Sequence, residues 1–350
     1  MSPRINRNRF WPRNFQKFYQ FNLTRKLPIE KYTAHQFENF FDQIFDDKID
    51  DNSVKNFLLD INSFNIPTNS IIGAISSLKK RMIAIPNHED ALDVCGTGGD
   101  KLNTLNISTA VAIILAYMNI KVAKHGNRAI SSKSGSADIF SQLNIKFDDD
   151  LTQINKNLCA KKLCFLFAPN FHPALKKVVN IRKSIAEPTI FNYIGPLLNP
   201  VNPRKQIIGL SRIDIMPKIA EVVAKLKPNA KIYLVHGFDG MDEISLSQNS
   251  YLVEVDNSFI KETAIIDPTN YGLTKRPLED IIGKDPEYNA HKMLELFAGK
   301  LSSYQEIVSL NCAFALKLVG RFDKIIDGIN YTNEVLKSGK IYDFAKNLSS

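Results

Sequence analysis

Between Asp93 and Asp138 the chain chooses glycine and small hydroxyl residues where a packed core would choose bulk. It reads D-V-C-G-T-G-G-D (Asp93 to Asp100), N-I-S-T (Asn106 to Thr109), K-H-G-N-R (Lys124 to Arg128) and S-S-K-S-G-S-A-D (Ser131 to Asp138). Leu92 to Cys95 reads as a short buried strand leading into the glycines of the first segment. A helical pattern, Ile107 to Asn119, opens at the second. Strand, glycine turn and helix in succession constrain the fold strongly. Glycine lets backbone amides approach a ligand closely, and a helix N-terminus presents free N–H groups at the positive end of its dipole. The stretch predicts a sheet whose strand ends form an anion site.

Before this stretch the period is helical. Thr33 and Gln36 have the spacing of a capping box, and Phe37, Phe40, Phe41 and Ile44 recur at i, i+3, i+4 and i+7. A second helix starts near Asp51 and buries Val54, Phe57, Leu58 and Ile61; a third starts near Thr68 and buries Ile71, Ile72, Ile75 and Leu78. Beyond the glycine turn, strands are expected at Ile120 to Ala123, Leu163 to Phe167, Gln206 to Leu210 and Lys231 to Val235. Helices are expected at Ser134 to Leu143 and Ile215 to Lys227, and later at Ala290 to Phe297 and Tyr304 to Leu318, with shorter strands within 244–266. Strands alternating with helices predict a parallel sheet covered on both faces, with ligands at the carboxyl ends of its strands.

Charge separates the chain into a tail and a body. Residues 1–26 hold Arg4, Arg7, Arg9, Arg13, Lys17, Arg25 and Lys26 and no acid, so they supply +7 of the net +9. The rest is near neutral, which argues against nucleic-acid binding by the body. A tail of this kind suits a transit peptide or a nucleic-acid arm, but Phe10, Trp11, Phe15, Phe18, Tyr19 and Phe21 suit packing on the body instead. No signal-peptide core is expected at the N-terminus, and the longest apolar run, Val111 to Met118, is too short to span a membrane. Cys95, Cys159, Cys164 and Cys312 show no metal or disulfide spacing and read as reduced thiols of a cytoplasmic protein.

Each candidate site has a bland alternative. G-T-G-G-D lacks the G-K-[ST] of a P-loop and by itself fits an empty tight turn. Ser108 and Thr109 fit phosphate contacts or ordinary helix caps. Lys124 fits a phosphate counter-charge or a solvated lysine; His125 and Asn127 fit substrate contacts or structural roles. Asp242 and Glu243, after H-G-F-D-G-M, fit Mg²⁺ ligands or a surface acid pair. Arg182 has the donor geometry for a carboxylate, but spacing alone does not assign it one.

Together, D-V-C-G-T-G-G-D, N-I-S-T, K-H-G-N-R-A-I-S-S-K-S-G-S-A-D, T-I-F-N-Y-I-G-P-L-L-N-P and V-H-G-F-D-G-M-D-E, in this order, resemble the anthranilate phosphoribosyltransferase family over roughly residues 30–345. The resemblance implies a nucleoside phosphorylase/phosphoribosyltransferase type of α/β fold: a small α-helical domain plus a larger α/β domain with a mainly parallel central sheet. It places the helical domain at 30–88, with segments from about 168–190 packing on it, and the phosphoribosyl-binding domain at 89–350; residues 1–29 are left as a basic N-terminal extension. It also implies an active site in the cleft between the domains and a homodimer formed through the helical domains. The implied donor contacts for phosphoribosyl pyrophosphate are Gly96, Thr97, Gly98, Gly99, Asp100, Thr104, Asn106, Ser108, Thr109, Lys124 and Ser136. Gly96, His125, Asn127, His172 and Arg182 are the implied anthranilate contacts, with Arg182 facing the carboxylate. Asp242 and Glu243, with Ser108, are the implied Mg²⁺ ligands. No residue is expected to act as acid or base. Many relatives carry arginine where this chain has Pro188, and smaller residues where it has Lys101 and Leu102; the tail has no counterpart.

The implied reaction joins the anthranilate amine to C1 of the ribose and expels pyrophosphate, with proximity and leaving-group stabilisation in place of a base. Two rivals remain. A pyrimidine nucleoside phosphorylase shares the architecture and would phosphorolyse thymidine or uridine. A non-enzymatic relative would bind nucleic acid through the tail, with a salt dependence lost on removing residues 1–26.

Overall fold

The computed structural model describes residues 29–129, 133–147, 150–185 and 187–348. The basic tail and its aromatic residues, together with Ser131 and Ser132 of the last glycine-rich segment, lie outside the described residues. The described residues divide into two compact units, one comprising 29–81 with Ala174–Phe191, the other Met82–Pro173 with 192–348.

The first unit is helical. Helix α1 (Ala34–Phe45) begins at the capping box read from the sequence: Thr33 Oγ1 accepts the Gln36 N–H at 3.2 Å, and the Gln36 carboxamide oxygen accepts the Thr33 N–H at 2.8 Å. Phe37, Phe40, Phe41 and Ile44 are buried on its inner face. Asp50 caps α2 (Asp51–Ser63), which brings the Phe57 ring 3.9 Å from that of Phe40. Helix α3 (Thr68–Lys79) crosses α1 at Gly73, where a Cβ would stand 2.5 Å from Phe37 Cβ. A short helical stretch, Val179–Lys183, carries Arg182, whose guanidinium lies 5.5 Å from the centroid of the Phe191 ring.

The second unit is built on one sheet. Its elements are β1 (Leu92–Gly96), α4 (Ile107–Tyr117), β2 (Val122–Gly126), α5 (Ser136–Gln142), α6 (Leu151–Ala160), β3 (Leu163–Phe167), β4 (Lys205–Gly209), α7 (Met216–Leu226), β5 (Lys231–Gly237), β6 (Ser250–Asp256), β7 (Phe259–Ile260) and β8 (Ala264–Ile266). Four helices follow: α8 (Pro286–Phe297), α9 (Ser303–Val319), α10 (Ile325–Lys337) and α11 (Lys340–Asn347). The strand order is β3-β2-β1-β4-β5-β6-β7, with β8 on β6. Strands β1 to β5 are parallel and the last three antiparallel, so the expected mainly parallel α/β sheet is what forms.

Alternation along the strands explains the two cores. Leu163 and Phe165 join a large core with α4, α5 and α8 to α11, whereas Cys164 and Leu166 join a smaller one with Ile154 and Leu158 of α6. Leu92 and Val94 likewise face the large core, which turns Asp93 to the other side of the sheet. One strand sits later than the sequence suggested: β2 begins at Val122, not Ile120, because Asn119 takes a left-handed backbone (φ 64°) that closes α4 first. Lys124, His125 and Gly126 are therefore the last residues of the strand itself, not a loop after it. Strand order reverses between β1 and β4, the two neighbours whose ends Gly96 and Gly209 stand paired in register. Open α/β sheets bind ligands at such a point.

Candidate active site

A cleft of about 260 Å³ opens at that switch point. It is lined by every residue expected to hold the phosphoribosyl donor, and by His125, Asn127, Asp242 and Glu243. His172 is not on its wall but packs edge-on against His125, ring centroids 5.3 Å apart. Arg182 belongs to the first unit. The sequence reading missed Asn192, Lys284 and Asn289, which also line the cleft.

The glycine turn is shaped around Asp242. Gly98 (φ +68°) donates its N–H to Asp242 Oδ2 at 2.6 Å, a conformation natural to glycine. Thr97 is tied back into the sheet: its N–H bonds the Gly209 carbonyl at 2.9 Å, and its hydroxyl accepts the Ser211 N–H at 3.1 Å. Glu243 reaches the N-terminus of α4 and accepts the Ser108 N–H at 3.1 Å. Lys124 is buried; its ammonium donates to the Val94 carbonyl at 2.7 Å and to Ser108 Oγ at 3.2 Å. Ser108 thus stands between the lysine and Glu243.

Asn106 is clamped on three sides. Its amide donates to the Ser134 carbonyl at 3.1 Å, its Oδ1 accepts from Asn289 at 3.0 Å, and its carbonyl accepts the Tyr304 hydroxyl at 3.1 Å. It joins the elements of the wall. Asp138 similarly gathers the Gly135 and Ala129 N–H groups and the Arg128 guanidinium, tying these three residues to the first turn of α5.

The acids fit Mg²⁺. Burial, then the like charges of Asp100 and Glu243, push the Asp242 carboxyl well up; burial pushes Glu243 up to about 7 against the pull of Lys124 and Ser108. A bound dication would relieve this crowding of negative groups. No cluster of three or more His, Cys, Asp or Glu able to hold a metal occurs among the described residues. Mg²⁺ takes one or two carboxylates, keeps waters and shares substrate phosphates, and the adjacent Asp242 and Glu243 on the cleft wall offer such a pair.

The two histidines are neutral. Burial, then the neighbouring His172, lowers His125 to about 3, and burial lowers His172 to about 4. His125 Nδ1 donates to the Gly195 carbonyl at 3.2 Å, and its buried Nε2 has no hydrogen-bond partner among the described residues. Among the described residues, His172 leaves both ring nitrogens without a well-formed bond, a polar contact to the Leu198 backbone aside. Because both folded values lie below the ordinary 6.5, the unfolded chain binds more protons in acid. Their contribution to stability is complete above pH ~6.5 and is lost as pH falls through the folded values. Denaturant unfolding of wild type and His172→Gln checks this: between pH 7 and 5 the wild type is expected to lose about 2 kcal/mol more than the variant.

The glycosyl transferase family profile, a/b domain, matches residues 88–342. The chain is 40% identical over 280 residues to the anthranilate phosphoribosyltransferase of Dictyoglomus turgidum, covering 79% of this chain and 83% of that one. It is 36% identical over 316 residues to that of Pelagibacter ubique, covering 89% and 94%. The crystal structure of the Thermus thermophilus anthranilate phosphoribosyltransferase superposes with a TM-score of 0.83 at 27% identity, over 91% of this chain and 95% of that one. The Saccharomyces cerevisiae enzyme in complex with phosphoribosyl pyrophosphate and Mg superposes with a TM-score of 0.81 at 25% identity, over 91% and 93%.

Proposed function

This chain belongs to the anthranilate phosphoribosyltransferase family, and from that premise we propose how its cleft divides the work of the reaction. The protein transfers the phosphoribosyl group of phosphoribosyl pyrophosphate to the amine of anthranilate, giving N-(5-phosphoribosyl)anthranilate and pyrophosphate, in tryptophan biosynthesis and with Mg²⁺. The proposed donor contacts are the Gly96 to Asp100 turn, Thr104, Asn106, Ser108, Thr109, Lys124 and Ser136. The observation that carries this reading is that all of them line one cleft with the acid pair.

Asp242 and Glu243, with the Ser108 hydroxyl, would hold Mg²⁺, which when bound supplies positive charge to the leaving pyrophosphate. Lys124 keeps Ser108 and Glu243 in place at the head of α4 and adds a fixed cation to the cleft. An arylamine is neutral at pH 7, so its lone pair needs no base; the neutral histidines beside the cleft fit that requirement. Gly96, His125, Asn127 and His172 are the proposed anthranilate contacts, and their work is alignment of the amine with C1.

Arg182 is proposed to hold the anthranilate carboxylate. Burial lowers its pKa, and no acid pairs with it among the described residues. Loss of anthranilate fluorescence, followed with the donor and Mg²⁺ present or withheld, tests both the reaction and this role. Signal is expected to fall only when both are present. Arg182→Ala is expected to raise the anthranilate KM by about 100-fold, as for a charged hydrogen bond of 1.5–3 kcal/mol, with the donor KM little changed; an equal rise in both would remove the role. We further propose a cytoplasmic homodimer formed through the helical unit. No helix among the described residues is long and apolar enough to cross a membrane.

A further inference from the structure

A buried polar layer lies under the sheet, on the face opposite α4. Asp93 is fully buried at its centre. Its Oδ2 accepts from the Asn199 amide at 2.9 Å, the Gln206 amide at 3.2 Å and the Cys95 thiol at 3.4 Å, and its Oδ1 accepts the His125 N–H at 3.3 Å. Every contact is a donor, so a proton on Asp93 would find no acceptor, and the carboxylate form is the one that satisfies the layer. Burial pushes its pKa up, and Lys124, Asn199, Cys95 and the His125 N–H pull against that rise.

The layer fixes which way each amide points. Lys227 donates to Gln206 Oε1 and to the Pro203 carbonyl. An ammonium has no acceptor to offer, so the Gln206 NH₂ must face Asp93, and its second proton reaches the Pro196 carbonyl at 3.0 Å. The Asn199 NH₂ bridges Asp93 and the Ala123 carbonyl at 2.8 Å, while its Oδ1 accepts the Val201 N–H. The turn Gly195–Leu198 is thereby held at Pro196 and Asn199. Its Gly195 carbonyl is the acceptor for His125 Nδ1. Asp93 consequently controls His125 from two sides: directly at its backbone N–H, and through Gln206 and Asn199 at the partner of its ring.

We propose that Asp93, with Asn199, Gln206 and Lys227, is a positioning residue that locks His125 as the Nδ1–H tautomer, leaving Nε2 as an acceptor for the N–H of the incoming arylamine. His125 lines the cleft, and its Nε2 is buried without a hydrogen-bond partner among the described residues; a neutral imidazole offers one acceptor whose place the other nitrogen's bond decides. An acceptor at that atom attracts an amine N–H and repels a carboxylate, which fixes the orientation of the ring substituents. The role rests on the reading that the cleft takes anthranilate.

The test pairs ¹⁵N NMR of the histidine ring nitrogens with steady-state kinetics, for wild type, Asp93→Asn and the milder Gln206→Met. The chain has six histidines, and the His125 signals are assigned by their loss in His125→Asn. Wild type is expected to show His125 protonated at Nδ1 alone. Whichever variant folds is expected to show both tautomers, an anthranilate KM raised about tenfold, the scale of one hydrogen bond, and a donor KM nearly unchanged. A lone Nδ1–H signal persisting in the folded variant, or parallel rises in both KM values, overturns the proposal. Wild type that consumes no anthranilate would fail the functional reading, while the tautomer measurement would still decide this one.

Discussion

Asp242→Asn with Glu243→Gln is expected to reduce turnover at least a thousandfold, about 4 kcal/mol of barrier, and to abolish the Mg²⁺ dependence of what remains. The substitutions are nearly isosteric and keep the acceptors that Gly98 and Ser108 use. What they remove is charge. Burial and the like charges of its neighbours already oppose the Asp242 carboxylate, so Asp242→Asn alone is expected to stabilise the fold by about 1–2 kcal/mol at pH 8. Calorimetric titration of Mg²⁺ in the presence of pyrophosphate, beside thermal unfolding, separates the two effects. Lost binding with raised stability supports a ligand role. An unchanged Mg²⁺ titration would remove the pair as ligands, and a large fall in stability would make them structural.

Local chemistry was legible in the sequence, and long-range pairing was not. The capping box at Thr33, the stripe of α1 and the bounds of β3 follow from side chains within a few residues of each other. So does the strand–turn–helix at Gly96. The start of β2 was misplaced because a left-handed asparagine looks like any helix residue in a one-dimensional pattern. Lys284 and Asn289 were missed because they reach the cleft from far along the chain; Asn289 meets Asn106 from 183 residues away. Gly209 carried no motif either. Its meaning comes from the register that sets it against Gly96 and beneath Asp242. Nor could the sequence tell that the Lys124 ammonium is satisfied internally, because that depends on the Val94 carbonyl of the neighbouring strand.

Gly209→Ala should therefore damage the site from a position no motif marks. A Cβ there would stand 1.6 Å from the Asp242 carbonyl oxygen and 2.4 Å from its carbon. These are backbone atoms, so no rotamer relieves the clash; the segment bearing Asp242 and Glu243 must move by about an ångström or more. Such a move breaks the Gly98–Asp242 and Ser108–Glu243 bonds together. Displacements of that size cost on the order of 100-fold in rate, and overpacking costs about 1–3 kcal/mol of stability. Gly96→Ala would meet chiefly the Asp242 side chain, at 2.1 Å, and should displace the carboxylate with less harm to the fold. Gly272→Ala is the control for glycine loss in general. Gly272 lies off the cleft at φ +77° with open space around it, so it should lose about 1 kcal/mol of stability through backbone strain alone and keep its kinetics. Thermal unfolding and kcat/KM for the three variants decide the matter. If Gly209→Ala retains wild-type kcat/KM, the packing of Gly209 against Asp242 does not hold the acid pair in place.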